Sequence, residues 1–182
     1  SDPTLKQSGE VLPAPDGWAT FNSITVNAYG AAAMVFAYSS PSDYFKIMRV
    51  ARAADDPLGS PSLVSYELPV PTYWEPPYAR SQGTGSTIIT FEARFWSCVY
   101  RNGSLWACHH IRPAAGVSRC SARWYEIEMN GWPSSGSDPT LKQSGEVLPA
   151  PDGWATFNSI TVNAYGAAAM VFAYSSPSDY FK

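Results

Sequence analysis

The chain has 182 residues, of which 15% are charged and 14% aromatic, with 16 Pro, 13 Gly, a net charge of −3 and a pI near 5.3. That length supports one sizeable core, and the composition describes short strands joined by tight turns rather than a disordered chain or a helical bundle. The acidic balance without any run of like charge argues against nucleic acid or an anionic membrane as partner; no apolar run reaches the length of a membrane span, and no signal-peptide pattern is present.

Taken from the start, residues 4–11 read as a strand, and 21–27 alternate apolar and polar side chains before a turn at Gly30. An apolar run at 33–38 then completes a hairpin. The Ser-Ser-Pro-Ser-Asp cluster at 39–43 is a loop, because these residues favour turn geometry over ladder bonds. Residues 44–51 and 62–68 are two further strands, separated by a turn around Asp55, Asp56, Pro57 and Gly59, where the two carboxylates read as turn formers rather than metal ligands. The segment 69–86 holds Pro69, Pro71, Pro76 and Pro77 with Tyr73, Trp74 and Tyr78, a connecting loop too rich in proline for a central strand.

The order then repeats. Residues 87–100 are strand-like, Asn102-Gly103 is a two-residue hairpin turn, 105–111 is a strand, Pro113 to Gly116 turns, and 121–129 and 140–147 complete a second set of four. After that the chain returns to its own beginning: residues 137–182 copy residues 1–46 letter for letter, an offset of 136. Divergent repeats keep buried positions and let loops drift, whereas here the loops are identical too. Such a period outranks any local motif as evidence of architecture. Gly30 to Gly103 is an offset of 73 and Gly103 to Gly166 one of 63, so the long period splits into two four-strand units.

Four-stranded antiparallel meanders repeated on this scale predict an all-β fold of β-propeller blades, each sheet covered by its neighbours; an immunoglobulin-like or jelly-roll sandwich is the alternative. The runs Ala122-Arg123-Trp124-Tyr125-Glu126-Ile127, Leu141-Lys142-Gln143-Ser144-Gly145 and Phe157-Asn158-Ser159-Ile160-Thr161-Val162-Asn163 resemble secreted bacterial repeat proteins whose pattern is related to sialidase-like propellers. The resemblance covers both units. It implies an extracellular or cell-surface protein; the sialidase Ser-x-Asp-x-Gly-x-x-Trp box is absent from the chain. Counting from 4–11 to a last strand that stops at Lys182 gives twelve strands, three blades' worth. Propellers typically have four to eight blades, so closure is expected through further repeats or another chain, a dimer giving six.

No catalytic constellation emerges, and the chain is not expected to be an enzyme or to need a cofactor or metal. Glu126 and Glu128 point to one face of a strand, which reads as a salt-bridged surface rather than a glycosidase pair across a cleft. His109 and His110 are neighbours on a strand, which sends their rings to opposite faces and prevents them from sharing a metal. Arg94, Trp96, Trp106, Arg123 and Trp124 belong to the richest aromatic and arginine region. Flat rings stack on sugar faces and guanidinium groups grip acids, so these five are the candidate carbohydrate or peptide platform, weighed against packing between sheets. Cys98 and Cys108 flank the Asn102-Gly103 turn, so a cross-strand disulfide between them competes with a Cys108–Cys120 bond and with buried free thiols. The expected function is an extracellular structural or interaction protein that self-associates through its repeats or duplicated ends, with a carbohydrate-binding or glycosidase-like propeller as the alternative.

Overall fold

The computed structural model describes residues 23–26, 32–37, 47–53, 63–83, 85–132 and 136–178, with side chains from Tyr66 onward. The expected strands at 4–11 and at the stretch ending in Lys182, and the Asp55–Asp56 turn, lie outside the described residues. Those described are all-β, without a helix. Strands β1 (Ser23–Val26), β2 (Ala32–Ala37), β3 (Ile47–Ala53) and β4 (Leu63–Pro69) form one antiparallel sheet in chain order. After the short pair β5 (Ala79–Arg80) and β6 (Thr87–Ile88), a second four-stranded meander follows: β7 (Phe95–Arg101), β8 (Ser104–Ile111), β9 (Ser121–Glu128) and β10 (Thr140–Val147). A final hairpin joins β11 (Trp154–Val162) to β12 (Ala168–Ser175).

The second sheet is covered on both faces, and its sequence shows why. Side chains alternate across a strand, yet β8 is buried at every position. Leu105, Ala107 and Ile111 face one side, where they meet Phe95, Tyr125 and Ile127 together with Leu68, Val70 and Tyr73 from the end of the first sheet and its continuation. Trp106 and Cys108 face the other side, against Ile160 and Val162 of β11. Each fully buried Leu or Ile contributes about 1.5–3 kcal/mol, so neither face is stable without its cover. A strand buried on both sides reads as a continuous apolar run, which is what Leu105 to Cys108 and Ile111 supply.

Two local devices set the geometry of this sheet. Asn102 and Gly103 both take positive φ, 51° and 79°, the two-residue turn that matches strand twist, and Arg101 pairs with Ser104 across it. On β10, Gly145 lies under the indole of Trp124: a Cβ there would come within 2.8 Å of the ring nitrogen. The bare backbone lets the ring lie flat across the sheet.

The segment 69–83 runs from the end of β4 and contains β5. It is held at several points. Trp74 and Arg112 exchange backbone hydrogen bonds of 3.1 and 2.9 Å, the Glu75 carboxylate accepts the Ala93 N–H at 3.1 Å, and Pro77 O accepts the Thr90 hydroxyl at 3.1 Å. The strand expected over 87–100 is interrupted instead. Only β6 and β7 are extended, and Phe91 between them adopts a left-handed backbone with φ 59°.

The two sequence-identical segments form the same hairpin in the same register. Ser23, Ile24, Thr25 and Val26 pair with Val35, Met34, Ala33 and Ala32. Their counterparts Ser159, Ile160, Thr161 and Val162 pair with Val171, Met170, Ala169 and Ala168. The setting differs. β2 continues into β3, whereas β12, among the described residues, pairs with β11 alone.

The Cys98–Cys108 disulfide is not formed: Cys98, Cys108 and Cys120 are buried free thiols. Counting back from the Arg101–Ser104 pair places Ala107 opposite Cys98 and Ser97 opposite Cys108. The two sulfurs therefore sit on opposite faces, Cys98 in the core shared with the first sheet and Cys108 in the core beneath β11. Cys120 packs separately with Ala79 and Trp154.

Candidate functional site

The five residues of the expected platform separate into three places. Arg123, on the face toward the first sheet, ion-pairs with Glu146, with Nε 3.0 Å from Oε1, and its Nη1 donates to the carbonyls of Pro71 (2.8 Å) and Thr72 (3.1 Å). With its side chain only 6% exposed, it clamps the connecting loop to the sheet. Trp106 and Trp124 stack on the other face, with centroids 5.9 Å apart and planes at 23°. Trp106 is buried under β11, while Trp124 reaches outward and lines a groove of about 330 Å³ with Val147, Ile160, Ala168, Met170 and Phe172.

Arg94 and Trp96 stay together and gain neighbours that strand alternation does not reveal. Trp96 stacks on His110, with centroids 5.5 Å apart, and meets Phe157 edge-on at 5.3 Å. Phe91 lies 6.1 Å from Trp96, and the Arg94 guanidinium sits over both rings at 5.4 and 5.7 Å. Register shifts at Trp96 in β7 and at Phe157–Asn158 in β11 create this meeting, because each bulge re-aims a side chain out of the regular alternation. Phe157, like Phe91, takes positive φ, 51°, a conformation that costs energy for a bulky residue. Arg94 Nε and Trp96 Nε1 are buried without a hydrogen-bond partner, and Phe91 is 50% exposed. The Arg94 guanidinium is ion-paired with the Glu92 carboxylate, so the cluster is a ring surface capped by a paired cation and open on the Phe91 side.

The two histidines occupy opposite faces, as their adjacency on a strand requires. His109 Nδ1 donates to Ala93 O at 3.0 Å and its Nε2 accepts the Tyr125 hydroxyl at 2.9 Å. His110 Nε2 donates to Thr90 O at 2.6 Å and its Nδ1 accepts the Phe157 N–H at 3.2 Å. Each ring is locked as a neutral tautomer. Burial pushes His109 down to about 3 and His110 down to about 4 from the ordinary 6.5, so neither exchanges a proton near neutrality.

Glu126 and Glu128 share a face, both reaching Lys142 Nζ, at 3.0 and 3.5 Å. Burial works to raise the Glu126 carboxyl, but hydrogen bonds from Gln143, Lys142 and Ser104 outweigh it and hold the group below the usual carboxylate range. Glu126 is buried and Glu128 half-buried, and both are paired on one face rather than set as an acid and base across a cleft. Among the described residues no group of three or more His, Cys, Asp or Glu is placed to hold a metal, and no helix is long and apolar enough to cross a membrane.

The remaining feature is an edge. Along β12 Ala168, Ala169 and Val171 are exposed, Val171 at 69%, and Met170 and Phe172 are half-buried beside the Trp124 groove. Comparison with protein-family models, curated proteins and solved structures finds no match to this chain.

Proposed function

We propose that the protein is an extracellular structural repeat protein whose four-stranded sheets are β-propeller blades and which self-assembles through its duplicated segments. One observation carries this reading: the same sequence makes the same hairpin twice, once inside a completed sheet and once, among the described residues, without a strand on its outer edge. The first strands of the successive units also lie together, β7 in contact with both β1 and β11, as strands lining a central axis do. Two meanders and a hairpin are too few for a closed ring of typical size, so closure draws on further repeats or a second chain, six blades arising from a dimer. The secreted setting rests on the resemblance to bacterial repeat proteins. Sedimentation equilibrium over a hundredfold concentration range is expected to show reversible association of the 19.8 kDa chain; a strict monomer throughout would overturn the reading.

A second reading, a carbohydrate-binding or sialidase-like propeller, is favoured by the cluster of Phe91, Trp96 and Arg94 at the start of β7. A guanidinium above two tilted rings suits an acidic sugar whose carboxylate takes the place of Glu92 on Arg94. On this reading a glycan array registers acidic oligosaccharides and Trp96→Ala lowers the signal roughly tenfold or more, since one aromatic anchor carries ~1–3 kcal/mol. Silence on the array and in hydrolase assays removes it.

A further inference from the structure

Resting on the self-assembly reading, we infer that β12 of one copy takes β3 and β4 of a second copy as the next strands of its sheet, displacing that copy's own β1–β2 hairpin. The partner is fixed by sequence identity. Residues 168–173 of β12 are residues 32–37 of β2 over again, and β2 is paired along its outer edge: Ala33, Met34, Val35, Phe36 and Ala37 oppose Arg52, Ala51, Val50, Arg49 and Met48 of β3. The matching edge of β12, Ala169 to Ala173, carries no strand among the described residues. A backbone edge that already accepts β3 in one setting presents the same donors, acceptors and side-chain sequence to it in the other.

The space beside that edge fits the same occupant. Where the first sheet covers the second, β4 runs against β10. A β3–β4 pair docked on β12 brings the same strand to the opposite face of β10, over the groove of about 330 Å³ between Trp124, Val147, Met170 and Phe172. The exchange loses little. The β3 strand leaves one hairpin for its identical twin, so the ladder bonds balance, and the incoming hairpin can remake against β7 the contacts of the one it replaces. The gain is the apolar surface of the groove, closed in the exchanged form and open in the single chain. The contact joins two different patches of the chain, so it propagates head to tail and closes into a ring or extends as a filament.

The test mixes two full-length chains, Val50→Cys and Val171→Cys. The Val35–Val50 pairing places position 171 of one copy directly opposite position 50 of the other, within disulfide reach for a cross-strand pair. The native thiols are buried, with Cys108 and Cys120 pushed up to about 12 chiefly by desolvation, so they are poor competitors at neutral pH. Mild oxidation is expected to give a covalent dimer in the mixture and not in either variant alone, and Phe172→Asp in the Val171→Cys chain is expected to reduce its yield roughly tenfold. A mixture that yields no dimer above the single-variant background overturns the inference. So does a chain carrying both cysteines that closes only on itself, which would make its own β3 the occupant. Association that persists in sedimentation without the cross-link overturns this docking and leaves self-assembly standing, whereas a strictly monomeric native chain overturns both.

Discussion

Lowering the pH from 6.5 to 5 is expected to weaken the fold by close to two protons' worth of linkage, about 1.4 kcal/mol per histidine for each pH unit once the unfolded side chains are charged. The sign follows from the environment of His109 and His110. Both are fully buried, hydrogen-bonded as neutral rings and depressed from 6.5 to about 3 and about 4. Below 6.5 the unfolded chain binds protons that the folded chain refuses. The stabilisation is present above 6.5 and is lost as the pH falls toward the folded values. Three carboxylates shift as well: Glu126 and Glu92 are held low and lose their contributions below about 4.5, while burial raises Glu75, which takes its proton above 4.5 and offsets part of one histidine's loss. The range from 6.5 to 5 is therefore the window in which the histidines dominate. Urea unfolding at half-unit steps checks the slope, and His110→Phe should remove half of it. A flat profile across that window would refute the neutral assignment.

Replacing Arg123 by Ala is expected to cost about 3 kcal/mol, the low end of the range for breaking a buried ion pair, because Glu146 is partly solvated. The loss has three sources. Glu146, one-third exposed, keeps a charge without its partner; the carbonyls of Pro71 and Thr72 lose their donor; and a gap opens where the connecting loop meets β9. Arg123→Lys retains the charge and cannot reproduce the fork that reaches a carboxylate and two carbonyls together, so it recovers only a fraction of the loss. Thermal unfolding should fall by roughly 10 °C for the alanine variant in a chain of this size. A shift of only 1–2 °C would show that the clamp does not hold the two sheets together.

The fold was legible in strand bounds, turns and the shared face of neighbouring alternate residues. The strand at 140–147 is found at those bounds although its register shifts between Leu141 and Gln143, the Asn102-Gly103 turn takes the backbone its residues favour, and Glu126 and Glu128 share one lysine as the period of two along β9 allows. Legibility fails at bulges. Nothing in Phe-Trp-Ser or Thr-Phe-Asn-Ser announces that Trp96 or Phe157 is the extra residue, so the meeting of Phe91, Trp96, His110 and Phe157 is visible only once three segments are packed. The candidate platform dispersed for a related reason. Arg123 and Trp124 are adjacent in sequence and consequently face opposite ways, and nearness along a strand is a poor guide to nearness in space. The Cys98–Cys108 bond, by contrast, was open to rejection from the turn alone, since a two-residue loop fixes which positions oppose each other.

Each of the three apolar clusters contains one cysteine: Cys98 where the first sheet meets the second, Cys108 beneath β11, and Cys120 beside Trp154. No disulfide ties two of them together. The molecule thereby carries its own reporters of breathing. The rate at which an alkylating reagent marks each sulfur reads the local opening of that cluster separately from its neighbours.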